Sequence, residues 1–180
     1  HGLGLPDAYA GVIQDSASSA TLAAVLTMRE RALKWQGNQT GLFGHSALRI
    51  YCSDQVHSSI DRALWVSGIG QPNLVKIPPI GPLKAMDVEK LGAAIAADRD
   101  AGLVPAGIIA ATGATGMGAC DDMNAVADVA EAENLYTHLD AAWAGTAMIC
   151  PEFRQLWEGA HRFDSIVFNP HKWLGAQFDC

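Results

Sequence analysis

The amino-acid sequence predicts an α/β fold in which helices cover both faces of a mostly parallel sheet. Short apolar runs alternate along the chain with segments of ten or more residues that have helical spacing. Parallel strands need crossover connections of about a dozen residues, and these helical segments are long enough to supply them. The 180 residues correspond to about one domain, and 49% hydrophobic with 17% charged residues is a globular composition.

The first elements already follow this alternation. The apolar run at residues 11–14 ends in a turn, and apolar side chains at roughly helical spacing predict a helix over residues 18–34. Residues 48–52 form a short apolar run that is typical of a strand.

The middle of the chain continues with helix, strand and helix. Ser53 or Asp54 can cap a helix that runs towards Val66. Residues 73–77 are then typical of a strand, which two consecutive prolines end. An Ala-rich helix is expected over residues 88–101.

A buried strand and a small-residue loop come next. Residues 104–111 are almost entirely apolar, which indicates a strand buried on both faces. They run into a loop of Thr, Gly and Ala at residues 112–118. Asp121 or Asp122 then opens a helix that is expected to reach Glu133.

The last elements are strands and a turn. Residues 135–140 and 163–169 are typical of strands, Pro170 begins a turn, and the apolar run at residues 173–180 indicates a strand without a terminator. Natural domains seldom stop in mid-strand, because this leaves an unpaired apolar edge. Since the chain also opens without a methionine, we expect an excerpt of a longer polypeptide, with residues 1–180 forming a single partial domain.

Charge and cysteine usage exclude several classes of function. The formal net charge is −7 and the pI is near 5.2, whereas nucleic-acid and anionic-membrane surfaces need clustered cations. No apolar run approaches the roughly 20 residues of a membrane-spanning helix. The four cysteines are far apart, with no CxxC pair and no histidine at zinc spacing. We therefore expect no metal site, no nucleic-acid or membrane partner, and a reducing, cytoplasmic compartment.

Two charged residues that follow apolar strands are candidates for chemistry. Lys172 either snorkels or pairs with a carboxylate, or it is a Schiff-base lysine whose pKa is lowered by burial or by neighbouring cations. Asp140 either caps the segment after its strand, or it is a carboxylate that keeps a bound pyridine nitrogen protonated. The small residues Ala141 and Ala142 would let a flat ring lie against the backbone.

A hydroxyl-rich turn and a histidine are further candidates. Serine hydroxyls and free amides at the start of the helix after Gln14 can bind an anion such as phosphate. An ordinary serine cap explains the same residues, and Asp15 opposes an anion unless its side chain points away. His57 is either a surface or capping histidine, or a residue that stacks on a planar ligand.

In chain order these features resemble the group II pyridoxal-phosphate-dependent decarboxylases, which have the aspartate aminotransferase-like fold (fold type I). The resemblance is closer to the aromatic-L-amino-acid decarboxylases, including tyrosine and tryptophan decarboxylases. The segments that carry this narrower resemblance are residues 11–14 with 16–18, 53–55 with 57–59, 150–154, and 169–174 with 178–180. The resemblance extends from about Gly11 to Cys180 and implies the large, cofactor-binding domain of that fold.

The resemblance also implies roles for individual residues. Lys172 would hold pyridoxal 5′-phosphate as a Schiff base, and Asp140 would pair with its pyridine nitrogen. His57 would stack over one face of the ring and Ala142 would support the other. The residues expected at the phosphate are Ser16, Ala17, Ser18, Asn169 and His171.

Some positions depart from the pattern of the family. Thr115 lies in the loop that usually carries adjacent threonines near the cofactor, but Gly116 and Gly118 loosen that pattern. Asp15 and Ser19 also differ from the animal enzymes, which points to a microbial or divergent member.

The function implied is decarboxylation of an aromatic L-amino acid to its amine and CO2, through a Schiff base and a quinonoid intermediate. Three alternatives stay open: an acidic or histidine decarboxylase, an aldehyde-forming relative, and a truncated, non-catalytic remnant. The resemblance further implies a homodimer. It also implies an N-terminal segment, a catalytic loop beyond the lysine and a C-terminal small domain, all of which this chain lacks. We therefore expect the chain alone to be inactive.

Overall fold

The computed structural model describes residues 2–177, and its strands are β1 (Leu48–Ser53), β2 (Leu74–Ile77), β3 (Pro79–Ile80), β4 (Ala85–Met86), β5 (Val104–Ala111), β6 (Tyr136–Asp140) and β7 (Ser165–Val167). Within these residues, five strands form one sheet in the order β2-β1-β5-β6-β7, and every pairing in it is parallel. The short strands β3 and β4 form a separate antiparallel pair. The prediction of a mostly parallel α/β fold is confirmed.

The α-helices of the described residues are α1 (Ala17–Ala32), α2 (Gly37–Thr40), α3 (Ser59–Val66), α4 (Val88–Asp100), α5 (Met123–Glu133) and α6 (Pro170–Trp173). Short 3-10 helices occur at Gln71–Asn73, Gly145–Ile149, Pro151–Trp157 and Ala160–Arg162. Three of the α-helices begin at a side-chain cap, in which Ser16, Asp87 or Asp122 accepts a backbone hydrogen bond from the first turn.

Both faces of the sheet are buried under helices. On one face, Tyr51, Ile108 and Leu139 pack with residues of α4 and α5. On the other face, Ile50 and Ile109 pack with residues of α1 and α3. Neighbouring residues of one strand point to opposite faces, so an almost continuous apolar run is what a sheet covered on both sides requires. Each fully buried isoleucine or leucine stabilises the fold by about 1.5–3 kcal/mol.

The parallel register brings the carboxyl ends of three strands together at one end of the sheet. Ala111 of β5 pairs with Asp140 of β6, and Asp140 pairs with Val167 of β7. Because parallel strands point the same way, the segments that follow these three residues leave the sheet side by side. Polar residues in those segments are therefore neighbours in space although they are far apart in sequence.

The helix after β1 begins later than the sequence predicts. The Ser53 hydroxyl accepts a hydrogen bond from the Gln55 amide at 3.2 Å, and the Asp54 amide donates to the Ile77 carbonyl at 3.1 Å. These bonds hold the residues after β1 in a turn, so α3 begins at Ser59 and neither Ser53 nor Asp54 caps it.

The end of the described chain also differs from the prediction. Residues 170–173 form α6, and the Leu174 amide donates to the Pro170 carbonyl at 2.9 Å, so this part is helical and not extended. Gly175 has a φ of 67°, which no strand adopts. The strand expected at residues 173–180 is therefore wrong as far as Gln177, and residues 178–180 lie outside the described part.

One edge of the sheet is open in the described residues. β7 forms this edge, and residues 10–14 lie across a cavity of about 370 Å³ from it without regular secondary structure. Val12 and Ile13 in this segment are 80% and 81% exposed. The described part of the chain has no helix that is both long and apolar enough to cross a membrane.

Candidate functional site

A cavity of about 160 Å³ lies where the segments after β6 and β7 leave the sheet. Its lining residues are Ser16, Ala17, Ser18, His57, Ser59, Thr115, Asp140, Ala142, Asn169, His171 and Lys172. All ten site residues predicted from the sequence are thus brought together by the fold, and Ser59 is the one addition. Among residues 2–177, no cluster of His, Cys, Asp and Glu could hold a metal ion.

The start of α1 forms one wall of the cavity. The Ser16 hydroxyl accepts a hydrogen bond from the Ser19 amide at 3.3 Å, and the Ser19 hydroxyl accepts one from the Ser16 amide at 3.2 Å. This reciprocal cap leaves the amides of Ala17 and Ser18 without acceptors inside the helix. Together with the positive end of the helix dipole, these amides favour an anion.

The Asp15 side chain does not face this cavity as a lining residue. Its carboxylate accepts a hydrogen bond from the Ser19 hydroxyl and does not line the cavity. Asp15 and Ser19 therefore belong to one hydrogen-bonded cap beside the site.

His57 stands in the turn between β1 and α3. Its Nδ1 accepts a hydrogen bond from the Ser59 amide at 3.2 Å and lies 3.0 Å from the Ser59 hydroxyl. An acceptor nitrogen carries no proton, so in the neutral ring the proton is on Nε2. The two contacts hold the ring at the cavity, where it can lie against a flat ligand.

Asp140 ends β6, and residues 140–142 are anchored through their backbone to both neighbouring loops. The Asp140 carbonyl accepts a hydrogen bond from the Thr112 amide at 3.1 Å, and the Ala142 carbonyl accepts one from the Asn169 amide at 3.2 Å. The Asp140 side chain accepts from the Ala142 amide at 3.1 Å through Oδ1, while Oδ2 has no hydrogen bond within the described residues. The carboxylate makes a local turn rather than a helix cap, and one oxygen stays available to a ligand.

Asn169 and Lys172 line the cavity from the segment after β7. Asn169 is buried, and its Oδ1 has no hydrogen-bond partner in residues 2–177. A buried polar atom without a partner is costly, and an amide can present either its oxygen or its NH2 group after a flip. Lys172 is exposed at the cavity, so its charge is not buried between the apolar segments on either side of it.

The structure adds an aromatic pair that the sequence reasoning missed. Trp143 and Trp173 meet edge to face, with ring centroids 5.1 Å apart and an interplanar angle of 88°. Trp143 directly follows Ala142 and Trp173 directly follows Lys172, so the pair joins the segments after β6 and β7, both of which line the cavity. Because each tryptophan is adjacent in sequence to a predicted site residue, the sequence alone could have indicated that both lie near the site.

A buried histidine near the site was also missed. The Nδ1 of His138 lies 2.8 Å from the Ser165 hydroxyl, and its Nε2 has no partner in the described part. Burial lowers the pKa of His138 to about 4 although the charge of Asp140 opposes this, so the ring is neutral at pH 7. Its position two residues before Asp140 on the same strand places both on one face, which the alternation of a strand would have revealed.

The residues present fit a flat heteroaromatic phosphate ester. The start of α1 supplies an anion site, Asp140 a carboxylate, His57 and Ala142 two flanking surfaces, and Lys172 an amine. The unpartnered side chain of Asn169 indicates that this wall is built for a ligand that completes its hydrogen bonds.

Comparison with known proteins identifies the relatives of this chain. The family model described as the pyridoxal-dependent decarboxylase conserved domain matches residues 3–180. Aromatic-L-amino-acid decarboxylase of Sus scrofa is 40% identical over 190 residues, which cover 99% of this chain and 38% of that protein. Tryptophan decarboxylase 1 of Oryza sativa is 41% identical over 171 residues, covering 94% of this chain and 33% of that protein.

Solved structures agree with this result. The structure of Oryza sativa TDC with PLP and tryptamine superposes with a TM-score of 0.91 at 38% identity, covering 99% of this chain and 38% of that one. Rhodiola rosea 4-hydroxyphenylacetaldehyde synthase has the same TM-score, 0.91, at 33% identity, covering 99% of this chain and 39% of that one. The chain thus spans about two fifths or less of the length of these relatives.

Proposed function

Because this chain belongs to the pyridoxal-dependent decarboxylase family, we propose that the protein carrying it binds pyridoxal 5′-phosphate in the cavity and decarboxylates an aromatic L-amino acid. The products would be the corresponding amine and CO2. Ten residues from five separate parts of the chain line one cavity, and this convergence supports the proposal best.

The lining residues divide into groups that would hold different parts of the cofactor. The phosphate would be bound by the free amides at the start of α1, by the hydroxyls of Ser16 and Ser18, and by Asn169 and His171. His57 would lie against one face of the ring and Ala142 against the other. Thr115 would close the cavity from the loop after β5.

Two residues carry the chemistry. When bound, the cofactor supplies a protonated pyridine ring that accepts the electron pair released as the carboxylate leaves. The negative charge of Asp140 would keep the proton on the pyridine nitrogen. Its Oδ2 has no other hydrogen bond within the described residues, so it is available for this contact. Lys172 would supply the amine that attaches the cofactor, and its side chain is exposed at the cavity.

The aromatic substrate class is supported by the relatives that this chain matches over most of its length. They include an aromatic-L-amino-acid decarboxylase and a tryptophan decarboxylase at about 40% identity. Formation of an aldehyde instead of an amine is the second candidate, because 4-hydroxyphenylacetaldehyde synthase matches with an equal TM-score. We further propose that the active protein is a cytoplasmic homodimer and that segments beyond this cofactor-binding core complete its substrate pocket.

Covalent labelling tests the cofactor site. The whole protein that carries this sequence is incubated with pyridoxal 5′-phosphate, reduced with borohydride and mapped by mass spectrometry. We expect the label on Lys172, and Lys172→Ala should abolish it. Lys90→Ala is the matched control, because Lys90 pairs with Asp87 outside the cavity and its loss should leave labelling unchanged.

A substrate panel tests the reaction. Aromatic, acidic and basic L-amino acids are compared, with amine, aldehyde and CO2 all measured. Amine formation from aromatic substrates alone is expected. Aldehyde as the main product would favour the second candidate, and reaction with acidic amino acids alone would contradict the aromatic assignment. Normal labelling of Lys172 without any turnover would indicate a non-catalytic remnant.

A further inference from the structure

Asp121 is a buried carboxylate outside the cavity, and it is hydrogen-bonded to an element that leads into the cavity. Asp121 is 5% exposed. Its Oδ1 accepts a hydrogen bond from the Met86 amide at 2.6 Å, and its Oδ2 accepts one from the Ala111 amide at 2.7 Å. The Asp121 amide in turn donates to the Ala111 carbonyl at 2.9 Å. Asp121 is thereby held between β4 and the end of β5.

Asp121 closes the base of the loop that reaches the cavity. This loop, residues 112–120, leaves β5 after Ala111 and returns at Asp121, and Thr115 within it lines the cavity. The Ala114 amide donates to the Ala119 carbonyl at 2.9 Å, which keeps the loop narrow. A displacement at its base would therefore move Thr115.

The same base is attached to the strand that carries Asp140. Ala111 pairs with Asp140 in the sheet, and the Thr112 amide donates to the Asp140 carbonyl at 3.1 Å. The carboxylate of Asp121 therefore fixes a backbone segment that touches both the loop and the end of β6.

We propose that Asp121 is a positioning residue whose ionised carboxylate holds Ala111 and thereby sets the places of Thr115 and Asp140 around the cofactor. This role rests on the proposed function above. An ionised carboxylate accepts from both amides at once. A protonated carboxyl or an asparagine turns one oxygen position into a donor, so one buried amide loses its partner.

Protonation of Asp121 falls within an accessible pH range. Burial raises the pKa of Asp121 to about 6 although the two amide donors oppose this shift. Ionisable groups on the elements around it are Cys52, Lys84, Asp87, Cys120, Asp122 and Asp140. Asp87 is paired with Lys90, Asp122 caps α5, and burial raises the pKa of the Cys52 thiol and keeps it neutral. The shift of Asp121 therefore comes from its burial rather than from a neighbouring charge.

The pKa shift of Asp121 affects folding stability and cofactor affinity in opposite directions as the pH rises. Between pH 3.8 and about 6 the folded chain binds more protons at Asp121 than the unfolded chain does. The contribution of this group to folding stability therefore falls as the pH rises through that window. The affinity of the cavity should instead rise with pH, because only the ionised form accepts both amides. A carboxylate with no positioning role would give the affinity no such pH dependence.

Cofactor affinity in the whole protein tests this role. The dissociation constant for pyridoxal 5′-phosphate is measured by dialysis between about pH 5 and pH 8 for wild type, Asp121→Asn and the neighbouring Asp122→Asn. We expect Asp121→Asn to weaken binding about tenfold at the upper end, with a smaller loss at the lower end. The ligand phosphate also gains protons in this range, but it does so equally in all three proteins. Asp122→Asn should bind as wild type does, and equal affinities for all three proteins at every pH would overturn the proposal.

Amide hydrogen exchange of the cofactor-free protein is the second readout. Residues 111–120 should exchange faster in Asp121→Asn than in wild type. If Asp121→Asn does not fold, wild type alone decides: pyridoxal 5′-phosphate should bind more weakly near pH 5 than near pH 8 by more than protonation of its own phosphate accounts for, and a change no larger than that contradicts the role. Normal labelling of Lys172 with unchanged affinity in Asp121→Asn refutes the positioning role alone, whereas absence of labelling refutes the proposed function.

Discussion

Gly113 lies near the start of the cavity loop, residues 112–120, at a point where no side chain fits. Its φ is 64°, in the left-handed region, and a Cβ added there would lie 2.3 Å from the Cβ of Ala144. The contact is with a rigid atom of the segment after Asp140, so neither partner can turn away. Glycine at this position therefore allows the loop after β5 to approach the loop after β6.

Replacement of Gly113 by alanine should destabilise the fold and open the cavity loop. The strained backbone and the overlap with Ala144 together should cost about 3 kcal/mol, measured as a shift of the urea unfolding midpoint. Gly116→Ala is the matched control in the same loop, because its Cβ would meet nothing within 4 Å. A Gly113→Ala protein as stable as Gly116→Ala would contradict the close approach.

Neighbouring residues of one type show where sequence reasoning stops. Asp121 and Asp122 are equally good helix caps on paper, but Asp122 caps α5 and Asp121 is buried against Met86 and Ala111. Only the three-dimensional path of β4 reveals this difference. Lys172 is exposed, as its snorkelling alternative allows, because apolar neighbours in sequence do not cover a lysine on a four-residue helix.

At the scale of elements, the start of α1 couples helix stability to the cavity. The reciprocal hydrogen bonds of Ser16 and Ser19, with Asp15 on the Ser19 hydroxyl, hold the first turn in place. The amides of that turn point at the cavity only while the turn is formed. Loss of the cap should therefore weaken both the helix and the anion site.

Ser19→Ala should lower the free energy of unfolding by about 1 kcal/mol, since one half of the cap is lost. Thermal unfolding followed by circular dichroism measures this change. Thr27→Ala is the control in the same helix: its hydroxyl donates to the Ala23 carbonyl at 2.9 Å in the helix interior, where alanine is the better helix former. Equal losses in both variants would argue against a special role for the cap.

The strands of the parallel sheet and the longer helices were predictable, and the 3-10 helices were not. The strand at residues 104–111 and the helices α4 and α5 agree with the sequence pattern to within one or two residues, because each buries several periodic apolar side chains. The 3-10 helices between Gly145 and Arg162 have too few turns to show a period. The late start of α3 depends on hydrogen bonds to β2, which a local pattern does not contain.

At the scale of the whole molecule, the parallel register assembles the candidate site. The ends of β5, β6 and β7 are adjacent, so residues from positions 115, 140 and 172 meet at one cavity. Polar residues that follow apolar strands therefore indicated the site from the sequence alone. The same reasoning could not assign distances, nor the contacts of His138 and of the tryptophan pair, because these depend on side-chain packing across strands.

The open edge at β7 has a consequence for handling the chain. An unpaired strand edge beside the exposed residues Val12 and Ile13 is a template for intermolecular hydrogen bonding. A preparation restricted to these 180 residues should self-assemble, with light scattering that grows with concentration. Ile13→Lys should suppress this growth by placing a charge at the edge, whereas Ile80→Lys, an exposed site on the β3–β4 hairpin, should not. Equal scattering from both variants would mean that copies associate through another surface.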